Sequence, residues 1–174
     1  MDYKHNIEKL KLMPHPEGGY YRQVYGNDES GEKQISTIYY MLCGDEFSAF
    51  HKLHGMSEIW YYHAGECLDI YVIDAKGELV VHHLSADAEM QVVIEPEQWF
   101  AAELPGKNGF SLVGCAVAPA FKFENFELAK KEDLLLVYPQ HGALIKRLCR
   151  KADFFPYLLI KKYICAQIKT NSHE

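Results

Sequence analysis

The run Phe50-His51-Lys52-Leu53-His54-Gly55-Met56-Ser57-Glu58-Ile59-Trp60-Tyr61-Tyr62-His63-Ala64-Gly65 gathers three imidazoles and one carboxylate on an aromatic stretch closed by glycine. Neutral imidazole nitrogens and a carboxylate suit zinc, manganese, iron or nickel, and an extended strand brings alternate side chains to one centre. In a strand that begins at Glu58, residues Glu58, Trp60 and Tyr62 share one face, and Ile59, Tyr61 and His63 the other. His63 is thereby set apart from Glu58. His51, His54 and Glu58 are therefore the catalytic candidates, and they are also the ligands if a divalent metal is held. The alternative is that His51 and His54 are hydrogen-bonded polar groups around a cavity. A carboxylate buried among imidazoles is costly without a purpose, which favours a ligand pocket over plain packing.

A second group precedes it: Leu12-Met13-Pro14-His15-Pro16-Glu17-Gly18-Gly19-Tyr20-Tyr21-Arg22. Its simplest reading is a shaped turn feeding a strand. Arg22 either pairs with Glu17, worth about 0–1 kcal/mol if exposed, or presents its planar fork to a carboxylate or phosphate. Trp60, Tyr62, Trp99 and Phe100 form either a stacking wall for a sugar or base, or core.

These groups need a scaffold of short strands. Alternating or β-branched and aromatic runs occur at about 20–25, 35–42, 47–52, 58–63, 68–73, 79–84, 89–94, 98–103 and 110–118. The breaks Gly26–Gly31, Asp74–Gly77 and Pro105–Gly109 carry turn chemistry. Strands this close, with no helices between them, predict a mainly β sandwich or jelly-roll barrel. A short helix is expected over 5–13, ended by Pro14. Helical spacing returns beyond Leu128, at Leu144, Ile145, Leu148 and Cys149 and again from about Phe154 to Ile168. The division expected is a barrel over 1–130 and a helical extension over 131–174 packed on it, too small to hold a core alone.

The 174 residues carry a net charge of −6. Residues 1–144 hold 11 basic and 22 acidic side chains, whereas residues 145–174 hold 7 and 2. The acidic body argues against nucleic acid as a partner, and the basic tail is expected to dock on it or at a dimer interface. Five scattered cysteines with no CxxC pair give neither a disulfide framework nor a zinc knuckle. No run approaches the ~18 apolar residues of a membrane span, and no signal-like apolar core follows Met1, so a cytoplasmic setting is expected.

The run from His51 to Gly65 resembles the first motif of the cupin superfamily, an HxH followed by three or four residues, Glu, six residues and Gly. Glu58 and Gly65 match its spacing. If His54 is the second histidine, Lys52 stands in the first place; if His51 is the first, Leu53 stands in the second. The second cupin motif, PxGxxH, resembles Pro96 to Ala101, with Gln98 in the glycine place and Ala101 in the histidine place. The segment from His15 to Arg22 is similar to the HPEGGxxR opening of a small branch of the cupins. Ser36 to Leu42, Ser48 to His51, Trp60 to Gly65 and Ser111 to Leu128 continue the likeness, with Ala120 where glycine is usual.

The resemblance implies a double-stranded β-helix of the RmlC-like kind, dimeric, with a cavity whose ligand it leaves undefined. His15, Glu17, Arg22, His51 and Glu58 fall on matching positions. The expectation is a cavity for a small polar or anionic molecule, such as a sugar or nucleotide sugar. Its binding residues are His15, Glu17, Arg22, Tyr39, Trp60, Tyr62, Gln98 and Trp99. The alternatives are a metal-independent isomerase or epimerase, in which the resemblance to metal-free cupins implies His51 or His54 as base and a tyrosine, Tyr39 or Tyr62, as acid, and a metal-dependent cupin enzyme.

Overall fold

The computed structural model describes residues 3–15, 17–26 and 33–150. Helix α1 (Tyr3–Leu10) ends three residues before its expected limit, where Lys11 takes a left-handed φ of 51°. Met13 and Pro14 then form β1. Ten strands follow: β2 (Tyr20–Tyr25), β3 (Ser36–Cys43), β4 (Phe47–Leu53), β5 (Ser57–Gly65), β6 (Leu68–Ile73), β7 (Leu79–Leu84), β8 (Gln91–Ile94), β9 (Trp99–Glu103), β10 (Phe110–Ala118) and β11 (Phe126–Leu128). Each of the nine runs expected from alternation is a strand, with ends shifted by at most two residues. The fold is the mainly β jelly roll that the turn spacing implied.

The strands form two antiparallel sheets, ordered β1-β2-β3-β10-β5-β8 and β11-β4-β9-β6-β7. Their facing sides enclose one core, with Tyr40, Trp60, Ile70, Phe100 and Val113 at its centre. The outer face of the first sheet is covered near α1 by Met41, Tyr39, Tyr20 and Leu112 with Ile7 and Leu10. On the outer face of the second, α2 (Lys131–Val137) and α3 (Gly142–Leu148) bury Leu134, Leu144, Ile145 and Leu148 against Phe50, Ile73 and Ala101. The described part of the extension thus lies against the barrel. The expected stretch from Phe154 to Ile168 falls outside the described residues. No helix among the described residues is long and apolar enough to cross a membrane.

Two irregularities shape the interior. The β4–β9 register shifts between Ser48 and His51, a bulge that places both side chains on the inner face although they are three residues apart. Gly18 takes a φ of +125°, and a Cβ there would collide with the Phe47 carbonyl and the Arg150 guanidinium. Glycine lets the turn after β1 press against β4.

Candidate functional site

The inner faces of β2, β3, β5 and β10, with β4, β11 and the turn after β1, line a cavity of about 120 Å³. Its polar wall holds His15, Glu17, His51 and Glu58, and Phe121, Phe123 and Phe126 form part of its apolar wall. Glu17, held by the glycine turn, is 5% exposed. Its Oε1 accepts a hydrogen bond from Ser48 Oγ at 2.9 Å, and its Oε2 lies 3.4 Å from His51 Nε2. The bulge in β4 brings these two partners to one carboxylate.

His51 is oriented by its other nitrogen. Nδ1 lies 2.7 Å from the Ala49 carbonyl, which only accepts, so Nδ1 carries a proton and Nε2 is left for Glu17. The ring sits 4.0 Å from that of Phe100 and 5.3 Å from that of Phe126. His15 has the opposite arrangement: the Glu17 amide donates to its Nδ1 at 3.3 Å, so that nitrogen is unprotonated. Burial lowers the His15 pKa, Glu17 opposes this and His51 adds to it. His15 is a neutral imidazole.

Glu58 lies across the cavity on β5 and is 7% exposed. Burial, and then the charge of Glu17, push its carboxyl up to about 8; the Cys115 thiol and Trp60 indole favour the carboxylate more weakly. At neutral pH Glu58 therefore holds its proton and is a donor. Burial, then Glu58 and Glu17, raise the Cys115 thiol well above its ordinary value, so it is no nucleophile. One cavity thus holds a proton-bearing acid and an imidazole backed by a carboxylate.

Of the residues expected at a site, His15, Glu17, Arg22, His51 and Glu58 line this cavity. Six others are placed elsewhere. His54 stands in the turn after β4, 41% exposed, with Nδ1 2.7 Å from Glu97 and Nε2 2.8 Å from Glu127. Of the two histidine registers, the inner face carries His51 and Leu53. Tyr39 faces the α1 side of its sheet, while Tyr40 faces the core. Trp60 is 1% exposed core. Tyr62 packs against that core and donates to the Gly65 carbonyl at 2.7 Å. Gln98 accepts from the Glu95 amide in a turn. Trp99 lies on the outer face under Lys52, whose Nζ is 4.6 Å from the ring centroid.

Arg22 needs a finer statement. Of the two readings of Arg22, the ion pair with Glu17 is not formed, since the Glu17 oxygens face Ser48, His51 and His15. Arg22 is registered across the strands with Tyr39, and its guanidinium carbon lies 5.5 Å from that ring. Its Nε is buried without a hydrogen-bond partner among the described residues. It touches the cavity wall, but its charged end is spent on the face of the sheet that carries Tyr39.

A cupin metal cage does not fit these residues. Ala101 packs on the outer face with Phe50 and Ile73, so a histidine at 101 would point away from the cavity. The neighbouring inner position is Phe100, against His51. With Leu53 also inward and His54 outside, His51, His54 and Glu58 belong to no group of three donors close enough to share an ion among the described residues.

Sequence reasoning passed over Ser48, Tyr21 and Cys115. Tyr21 meets the His15 ring edge-on at 4.6 Å. The alternation of β2 and β10 places Tyr21 and Cys115 inward and was readable; the bulge that turns Ser48 inward was not. In the described part of the tail, Arg147 Nη2 lies 2.6 Å from Glu103, and Arg150 Nε donates to the Glu17 carbonyl at 3.0 Å.

Residues 4–129 match the family described as Cupin superfamily (DUF985). A crystal structure of a protein from Shewanella oneidensis is 39% identical, covering 86% of this chain and 98% of that one, with a TM-score of 0.79. A hypothetical protein from Leishmania major is 29% identical, covering 87% and 100%, with a TM-score of 0.76. Oxalate decarboxylase from Bacillus subtilis is 15% identical over 81% of this chain and 37% of that one, with a TM-score of 0.56, a likeness of fold alone. No curated protein sequence matches this chain.

Proposed function

This chain belongs to the DUF985 family of the cupin superfamily, and from that premise we propose that its barrel binds a small polar molecule through proton-sharing groups rather than a metal. The observation that carries the reading is the enclosure of Glu58, a proton-bearing acid, with the Glu17–His51 pair in one cavity. Ligand pockets of drug-sized molecules run to roughly 300–1,000 Å³. A cavity of about 120 Å³ suits a few-carbon hydroxy or keto compound, or the reactive end of a longer sugar derivative. Two carboxyl groups on the wall and an Arg22 turned toward Tyr39 favour a neutral ligand over an anion.

Thermal-shift screening of sugars, small keto and hydroxy compounds and organic acids tests this. The expected result is that a neutral polyol or keto compound stabilises the wild type but not Glu58→Ala. Stabilisation by none, or equally in both proteins, overturns it.

A second reading is favoured by the pairing of acid and base: metal-independent isomerisation or epimerisation next to a carbonyl. His51, oriented by Ala49 and Glu17, takes the carbon-bound proton, while Glu58 donates to the carbonyl oxygen. The barrel tyrosines lose the acid role, because Tyr39 faces α1 and Tyr62 bonds Gly65. Solvent deuterium entering a keto-sugar, and lost in His51→Ala, is the expected outcome; a broad panel without exchange removes it. The homodimer and the single-unit arrangement of barrel and extension remain part of the proposal, tested by the mass in solution of the full chain.

A further inference from the structure

A second constellation lies outside the barrel, at the edge of the other sheet. Cys67 precedes β6, Asp69 stands two residues on along the same strand direction, and His83 on β7 is the cross-strand partner of Asp69. Residues i and i+2 of an extended chain share a face, and a directly paired residue opposite joins them. Accordingly one donor atom from each of the three lies within 4.8 Å of the other two.

The donors are held from behind. Asp69 Oδ1 lies 2.8 Å from His83 Nδ1, and its Oδ2 accepts from the Tyr71 hydroxyl at 3.4 Å. The His83 amide donates to Glu89 Oε2 at 3.1 Å, which fixes the strand end carrying the imidazole. The Tyr71 and Glu89 contacts are supports of the kind that orient metal ligands, whereas the Asp69–His83 contact joins two of the ligands and gives way to the ion on binding. Asp69 is buried while His83 is 61% exposed, so three donors converge from the protein side and a fourth direction is open to solvent.

We propose that Cys67, Asp69 and His83 bind a divalent transition ion of the zinc class, with water in the fourth position. A thiolate, an imidazole and a carboxylate are a zinc-type donor set; calcium and magnesium prefer all-oxygen shells. The thiol gives up its proton to solvent on binding. The ion joins the start of β6 to β7, the edge strand of its sheet.

Titration of the metal-free, tag-free full chain with Co²⁺ tests the site. The expected result is saturation at one ion, with a thiolate-to-cobalt charge-transfer band that Zn²⁺ abolishes. The band is expected to vanish in Cys67→Ser and the affinity to fall at least about tenfold in the exposed His83→Ala, while Glu58→Gln binds as the wild type does. No band, a band that survives Cys67→Ser, or unchanged affinity in His83→Ala overturns the proposal. Loss of the band in Glu58→Gln would place the ion in the barrel and overturn it equally.

Discussion

His51 and His54 are three residues apart, and each faces carboxylates, yet they belong to different chemistry. His54 makes the shorter contacts, 2.7 Å to Glu97 and 2.8 Å to Glu127, in the solvent-exposed turn after β4. His51 lies 3.4 Å from Glu17, but both side chains are more than nine-tenths buried. Water screens the first group, so its short distances are worth about 0–1 kcal/mol per pair. In the second, removing one partner strands the other away from water, and the cost is several times larger. Burial, not contact length, separates a surface ion pair from a site.

The comparison is broken most severely at Glu58. Its folded-state pKa of about 8 stands above the ordinary 4.5, so between these values the native state holds a proton that the unfolded chain releases. Stability must therefore fall as pH rises from about 4.5 to about 8, with the loss complete above that. Urea denaturation of Glu58→Gln is expected to show this slope removed, with a gain on the order of a few kcal/mol over wild type at pH 9 and little change at pH 4.

Next in size is Glu17→Ala, which leaves the Ser48 hydroxyl buried without its acceptor and removes the carboxylate that faces His51 Nε2. A loss of about 2–4 kcal/mol is expected. Because the charge of Glu17 helps to raise Glu58, Glu17→Gln should also lower the Glu58 titration point. Arg150→Ala removes two guanidinium hydrogen bonds, to the Glu17 and Phe47 carbonyls, and should cost about 1–2 kcal/mol. It should also weaken any cavity ligand, since the turn carrying His15 and Glu17 loses its anchor. The smallest effect belongs to His54→Ala: within about 1 kcal/mol, and vanishing in high salt.

The strands were legible because each half-buried run alternates and ends in glycine, proline or aspartate chemistry. The short β1 and β11 carry too few residues for a period to declare itself. At the site, chain order made His51 and His54 look equivalent, because nothing local fixes Leu53 as the last residue of β4. Ala101, in the histidine place of the second motif, lies on the outer face, because one residue along a strand reverses the face, and Phe100 is the residue that meets His51. Tyr39 was exchanged for Tyr40 in the same way. Ser48 needed the bulge, which depends on β9 across the sheet. By contrast, Glu58 and Trp60 were correctly given a common face, because β5 keeps its period there.

The central claim is that the cavity holds a protonated carboxyl beside a histidine–carboxylate pair. Carbon NMR of the full chain with labelled glutamate carboxyls, followed across pH and compared with Glu58→Gln, tests it most directly. One resonance should titrate near 8 and be missing from the variant. If the resonance lost in Glu58→Gln instead titrates near 4.5, the cavity has no proton-bearing acid at neutral pH and the account of the site is wrong.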